Sequence, residues 1–153
     1  MTDSENDGST PRYASDIAFS GAVKAEQEKR GSRALYATMA HWYDKCTDDP
    51  RRYQAQRDAF SLATANADGQ PYVQHRGGPK GFLKRLDART LAFADYGGNR
   101  QFISLGNLSE NDRVQLFLMA YATQRRVRIS GGARVVEDEP ELFARVDPPR
   151  EGP

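Results

Sequence analysis

Phe60-Ser61-Leu62-Ala63-Thr64-Ala65-Asn66-Ala67-Asp68-Gly69-Gln70-Pro71-Tyr72-Val73-Gln74-His75-Arg76 decides the fold of this chain. Its first six residues alternate with the period of two that lets a strand bury one face and expose the other. Asn66-Ala67-Asp68-Gly69 supplies the residues that tolerate a tight reversal. Pro71 to Arg76 then alternates again, so the stretch predicts an antiparallel β-hairpin.

Downstream the same period recurs. Thr90-Leu91-Ala92-Phe93-Ala94-Asp95 predicts a third strand and Gly97-Gly98-Asn99 a turn. Arg100 to Leu108 predicts a short helix with Phe102, Ile103 and Leu105 turned inward. Val114 to Ala120 is nearly all apolar, which predicts a strand buried on both faces. Arg126 to Val136 predicts a last strand, with Val127, Ile129, Ala133 and Val135 on one face and Arg126, Arg128, Ser130 and Arg134 on the other. Glu139 to Ala144 reads as a helical turn, and the prolines from Pro148 onward end regular structure.

Five strands with short turns and one inserted helix predict a mainly-β fold, a small closed or partly open barrel. A parallel sheet would need a helix after nearly every strand, and the spacing provides none. Upstream, helical spacing begins near Ile17 and breaks at Gly31-Ser32. It resumes with Leu35, Met39 and Trp42 one turn apart, read as core. Thr47-Asp48-Asp49-Pro50 reads as the capped start of a short helix reaching about Asp58. The predicted layout is a disordered tail over 1–15, a helical lead-in over 16–58, the barrel over 59–145 and a C-terminal tail over 146–153.

The chain has 153 residues, one Cys and two His. A single cysteine excludes a disulfide framework or thiolate zinc site within one chain, and the composition predicts no metal centre. The acidic N-terminus has no apolar core, so it is not a signal peptide, and the longest apolar stretch is too short to span a membrane. These features predict a soluble, cytoplasmic protein. The net charge of +1 conceals a pattern, because residues 76–134 carry four acids and eleven bases, a net of +7. An anion, above all a phosphate, is the natural partner of such an island. Nucleic acid is disfavoured, because base-stacking aromatics are not interleaved with the arginines.

Three segments within the island carry the candidate residues. In Asp95-Tyr96-Gly97-Gly98-Asn99-Arg100-Gln101 the glycines permit a tight turn, Asn99 suits an N-cap, and Arg100 adds a bidentate donor beside a helix N-terminus. This is either a phosphate cradle or an ordinary strand-to-helix turn. In Gln74-His75-Arg76-Gly77-Gly78, Gln74 and Arg76 project to one face and His75 to the other, while the glycines allow a flat ligand near the backbone. Arg126 and Arg128 share a face, where they meet a ligand or protect a strand edge. No catalytic residue is assigned: Ser61, Ser104, Ser109 and Ser130 lie in no nucleophile-elbow context, and Cys46 reads as packing.

The run from Phe60 to Val136 resembles the FMN-binding split barrels of the pyridoxamine 5′-phosphate oxidase-like family. The resemblance rests on Leu62 to Pro71, Gln74 to Pro79, Gly98-Asn99-Arg100-Gln101 with Gly106-Asn107-Leu108 and Asn111, and Arg126 to Gly131. Ala22 to Arg33 is similar to the helical lead-in of an uncharacterised bacterial branch. The resemblance implies a Greek-key split barrel, a homodimer with FMN in a groove between subunits, and an FMN-dependent oxidoreductase of unspecified substrate. It implies that Gln74, His75, Arg76 and Gly77 line the flavin ring and ribityl chain. Asp95 falls at a polar contact, Arg100 and Gln101 at the phosphate-binding pair, and Arg126 near the flavin; Asn99, the N-cap beside Arg100, completes the cofactor-binding candidates. Gln101 stands where the true oxidases carry Lys. The chain stops before their pocket-closing C-terminal segment, so the expectation is a truncated member that does not oxidise pyridoxamine phosphate. The alternative is a split-barrel binding protein without the cofactor; haem or a deazaflavin are the other ligands such barrels accept.

Overall fold

A computed structural model describes residues 14–38, 48–95 and 100–147. The chain divides into two compact units, Met1–Cys46 and Thr47–Pro153, which are taken separately. The expectations for residues 1–13 and for Met39, Trp42, Cys46 and Asn99 fall outside the described residues.

In the first unit, a 3-10 turn (Ala14–Ile17) precedes helix α1 (Gly21–Lys29) and helix α2 (Arg33–Thr38). Ser20 caps α1, its Oγ accepting the Val23 amide at 3.3 Å. This satisfies a donor that the first helical turn would leave free. Gly31 adopts φ +76° between the helices, the expected stop and restart. Arg33 Nη1 donates to Gln27 Oε1 at 3.0 Å, and the Phe19 and Tyr36 rings meet edge to face at 5.7 Å.

The second unit begins with α3 (Asp48–Ala55), followed by β1 (Ala59–Ala65), β2 (Pro71–Gly77), β3 (Lys84–Arg85), β4 (Leu91–Ala92), α4 (Ile103–Glu110), β5 (Arg113–Ala120), β6 (Arg125–Gly132) and α5 (Pro140–Val146). Four strands form an antiparallel sheet in the order β2-β1-β5-β6, and β3 pairs with β4 in a separate ribbon. This is the mainly-β, split-barrel architecture expected, with β2 and β6 as the open edges of the sheet.

The hairpin forms where its sequence requires. Ala59 to Ala65 pairs with Pro71 to Gly77, and Gly69 takes φ +81°, a conformation other residues adopt at a cost. One face of the sheet holds the core: Phe60, Leu62, Leu116, Leu118 and Ala120 pack with Tyr53, Phe82 and Leu83. Phe60 stacks on Phe82 at 5.4 Å, and Phe93 meets both rings edge-on at 5.0 and 6.4 Å. A side chain at Gly78 would meet Phe82 Cγ at 2.6 Å, so only glycine fits beside that stack.

Two expectations need correction. The apolar run in β5 is buried on one face only: Leu116, Leu118 and Ala120 point into the core, whereas Gln115 is exposed and Phe117 and Met119 are half-buried. Antiparallel sheets commonly pack on one side alone. The third strand is also shorter than expected, reduced to Leu91–Ala92, and its partner Lys84–Arg85 is too brief to show any period.

Candidate functional site

Alternation in β2 turns Tyr72, Gln74 and Arg76 toward the core side of the sheet and leaves Val73, His75 and Gly77 exposed on the other. The expected division of Gln74 and Arg76 from His75 is therefore present. Because β2 is an edge strand, its inward side chains lie at the rim of the core rather than beneath it.

Helix α4 packs on this rim. Ser104 Oγ donates to Gln74 Oε1 at 3.0 Å, and Asn107 Nδ2 donates to Thr64 Oγ1 at 2.9 Å. Ser104 is 1% exposed, and Asn107 and Thr64 are buried with it. Two polar pairs thus dock the helix onto β1 and β2. Buried polar groups need partners, and here each supplies the other's. The Ser104 bond occupies the Gln74 oxygen and leaves the carboxamide nitrogen as a donor.

The helix corrects another expectation. It starts at Ile103 rather than Arg100, and Phe102, at the cap position, has φ +56° and no side-chain capping bond. Phe102 is 58% exposed and Ile103 is also exposed, so the inward face carries Ser104 and Asn107 instead. Complementarity to Gln74 and Thr64 outweighs the hydrophobic count. Arg100 likewise lies before the helix, exposed and at φ +59°, and not in its first turn.

Arg76 forms an ion pair with Asp95, just beyond β4. Its side chain is 12% exposed, and its Nε is buried without an acceptor among the described residues. Gln74 with Ser104 and Arg76 with Asp95 thus form two polar pairs along the core side of β2, a rim of donors and one carboxylate.

The remaining candidates lie elsewhere. Gln101 is exposed beside Arg100. Gly77 ends β2, where an added Cβ would make only ordinary contacts. His75 lies on the outer face opposite Ser61, which in turn faces Phe117 and Arg128 across the sheet. Arg126 shares that outer face but is on the opposite edge strand, paired with Met119. Three strand spacings separate the two edges, roughly 14 Å. The sheet does not bring Arg126 and Gln74 together within one chain. Ser104, Asn107 and Thr64 were absent from the predicted set. Their signal was polarity at i and i+3 on the helix, opposite an alternating strand.

A cavity of about 720 Å³ lies between α4 and the segment 133–139, lined by Leu105, Leu108, Val135 and Val136. The Arg134–Glu139 ion pair, 3.1 Å long, is on its wall. None of the predicted residues faces it. No group of three His, Cys, Asp or Glu placed to hold a metal occurs among the described residues. None of their helices is long and apolar enough to cross a membrane.

An open antiparallel sheet with a separate ribbon and a helix docked on its rim defines a split-barrel domain. Residues 46–151 match the family model for pyridoxamine 5′-phosphate oxidase, more than half of the chain, and the chain belongs to that family. No curated protein matches it. Among solved structures it is similar to HutZ, the heme storage protein from Vibrio cholerae, at 19% identity and a TM-score of 0.42. That match covers 64% of this chain and 68% of HutZ.

Proposed function

We propose that this chain is a homodimeric FMN-binding flavoprotein and an oxidoreductase. The observation that carries the reading is the donor rim on β2. Arg76 Nε is buried without an acceptor among the described residues, and the Gln74 amide is oriented by Ser104. An oxygen-rich cofactor fits both, because it would satisfy a donor that otherwise remains costly to bury. Gln74 and Arg76 would hold the body of the cofactor, and Arg100 and Gln101 the phosphate. Bound FMN would supply hydride or electron transfer, and the protein orientation and charge.

Arg126 supports the dimeric part of the reading. It lies on the other face and the other edge of the sheet from Gln74 and Arg76, so a site using all three draws Arg126 from a second copy. His75, on that same outer face, would join the interface rather than the Gln74 rim.

The test is fluorescence titration of FMN with the full chain, alongside its mass in solution. The expected result is saturable quenching by a dimer, weakened in Arg76→Gln and in Arg126→Gln. Quenching by a monomer, or equal affinity in the variants and the parent, would overturn the arrangement. A second reading, a binding protein without catalysis, is favoured by Asp95, which already neutralises Arg76. In that case FMN binds weakly or not at all, and no reduced flavin accumulates with nicotinamide donors.

A further inference from the structure

We infer that the cavity between α4 and the segment 133–139 is a second ligand site. It takes a small organic ammonium ion, with the apolar body between the walls and the charge at the rim. Helix α4 is inverted. It buries Ser104 and Asn107 against the sheet and leaves Leu105 and Leu108, on the adjoining stripe, half-buried along the cavity. A surface helix ordinarily does the reverse and buries its apolar stripe. Val135, 46% exposed, joins the leucines from the segment opposite. The volume of about 720 Å³ and the apolar walls are those of a small-molecule site.

Charge selects the occupant. The ionisable residues lining the cavity are four carboxylates and one guanidinium, a net of −3. The guanidinium, Arg134, is already bound to Glu139 at 3.1 Å. Asp112, Glu137 and Asp138 have no ion-pair partner among the described residues. A cleft lined by one sign of charge and walled by apolar side chains focuses its field and concentrates counter-ions, here cations. The frame is in place before a ligand arrives. The Ala133 amide donates to the Asp112 carbonyl at 2.8 Å and the Asn111 amide to the Asn107 carbonyl at 2.8 Å, so the end of α4 and the start of the opposite wall are tied together. Walls held in position lower the ordering cost of binding. The same charge repels an anion, which sets this cavity apart from the Gln74 and Arg76 rim.

The test uses hexylammonium chloride as the probe and the Leu105 and Leu108 methyl signals in NMR spectra of the full chain as the readout. Hexylammonium should shift both signals saturably. Sodium hexanoate, with a similar chain and the opposite charge, should not. The double variant Glu137→Gln/Asp138→Asn changes two exposed side chains and should weaken hexylammonium about fivefold. Arg134→Gln releases Glu139 to the rim and should tighten it about twofold. Equal shifts with hexylammonium and hexanoate, no saturable shift, or unchanged affinity in both variants would overturn the inference. A dimer that dissociates as hexylammonium binds would assign the cavity to a second copy and overturn it as well. Arg76→Gln should leave the hexylammonium response intact, so failure here and failure of the flavin reading are told apart.

Discussion

Thr64→Val is the sharpest probe of how the site is assembled. The substitution keeps the shape of the side chain and removes only the hydroxyl that accepts from Asn107 Nδ2 at 2.9 Å. Both residues are buried, so the Asn107 amide would lose its partner without regaining water. Leaving a buried donor unsatisfied costs about 1–3 kcal/mol. At roughly 2–4 °C per kcal/mol for a chain of this length, the melting temperature should fall by several degrees. Urea unfolding should show a lower midpoint with an unchanged slope, since the exposed surface is the same. Asn107→Leu should cost a similar amount by stranding the Thr64 hydroxyl. The double variant should cost less than the two singles together, by about 1 kcal/mol, because partners in contact are coupled. FMN affinity should fall with stability in the singles, because the same helix carries Ser104 to Gln74. Strict additivity, or singles as stable as the parent, would refute the claim that this pair docks α4.

Three further outcomes follow from other parts of the structure. Gly78→Ala drives a methyl into Phe82 and should destabilise by about 1–3 kcal/mol, read by the same unfolding curves. Asp95→Asn frees Arg76 from its counter-ion and should tighten FMN a fewfold in fluorescence titration; weaker binding would assign Asp95 to the cofactor itself. The Asp87 carboxylate is held below its ordinary range by the Arg89 amide, which donates to it at 2.8 Å, and by Thr90. Its folded value is depressed, so its small stabilisation of the β3–β4 turn is present above the unfolded value and lost as pH falls through the folded one. A carboxyl NMR titration should place its midpoint below that of Asp87 in the unfolded chain.

The parts of the fold visible in the sequence are those with an uninterrupted period and a strong turn. Asn66 to Gly69 between two alternating runs left one solution, and the structure adopts it. The inward Val127 and Ile129 and the outward Arg126 and Arg128 of β6 were legible for the same reason. The start of α4 was not, because Arg100 and Phe102 take left-handed conformations that neither residue type signals. Its buried face was misread because Phe102 and Ile103 are more apolar than Ser104 and Asn107. What selects the face is hydrogen bonding to Gln74 and Thr64, at positions 30 and 43 residues away in the chain. The Arg76–Asp95 pair escaped notice for a similar reason: each residue stood out alone, but their contact is tertiary. At Phe117 and Met119 the apolar run implied burial on both faces, whereas the sheet packs on one.

Cofactor binding is read most directly from the visible absorption spectrum of the full chain, purified and then re-purified after incubation with FMN. Flavin bands should persist through re-purification in the parent and be reduced in Arg76→Gln. A colourless protein before and after incubation, with its fold intact, would contradict it.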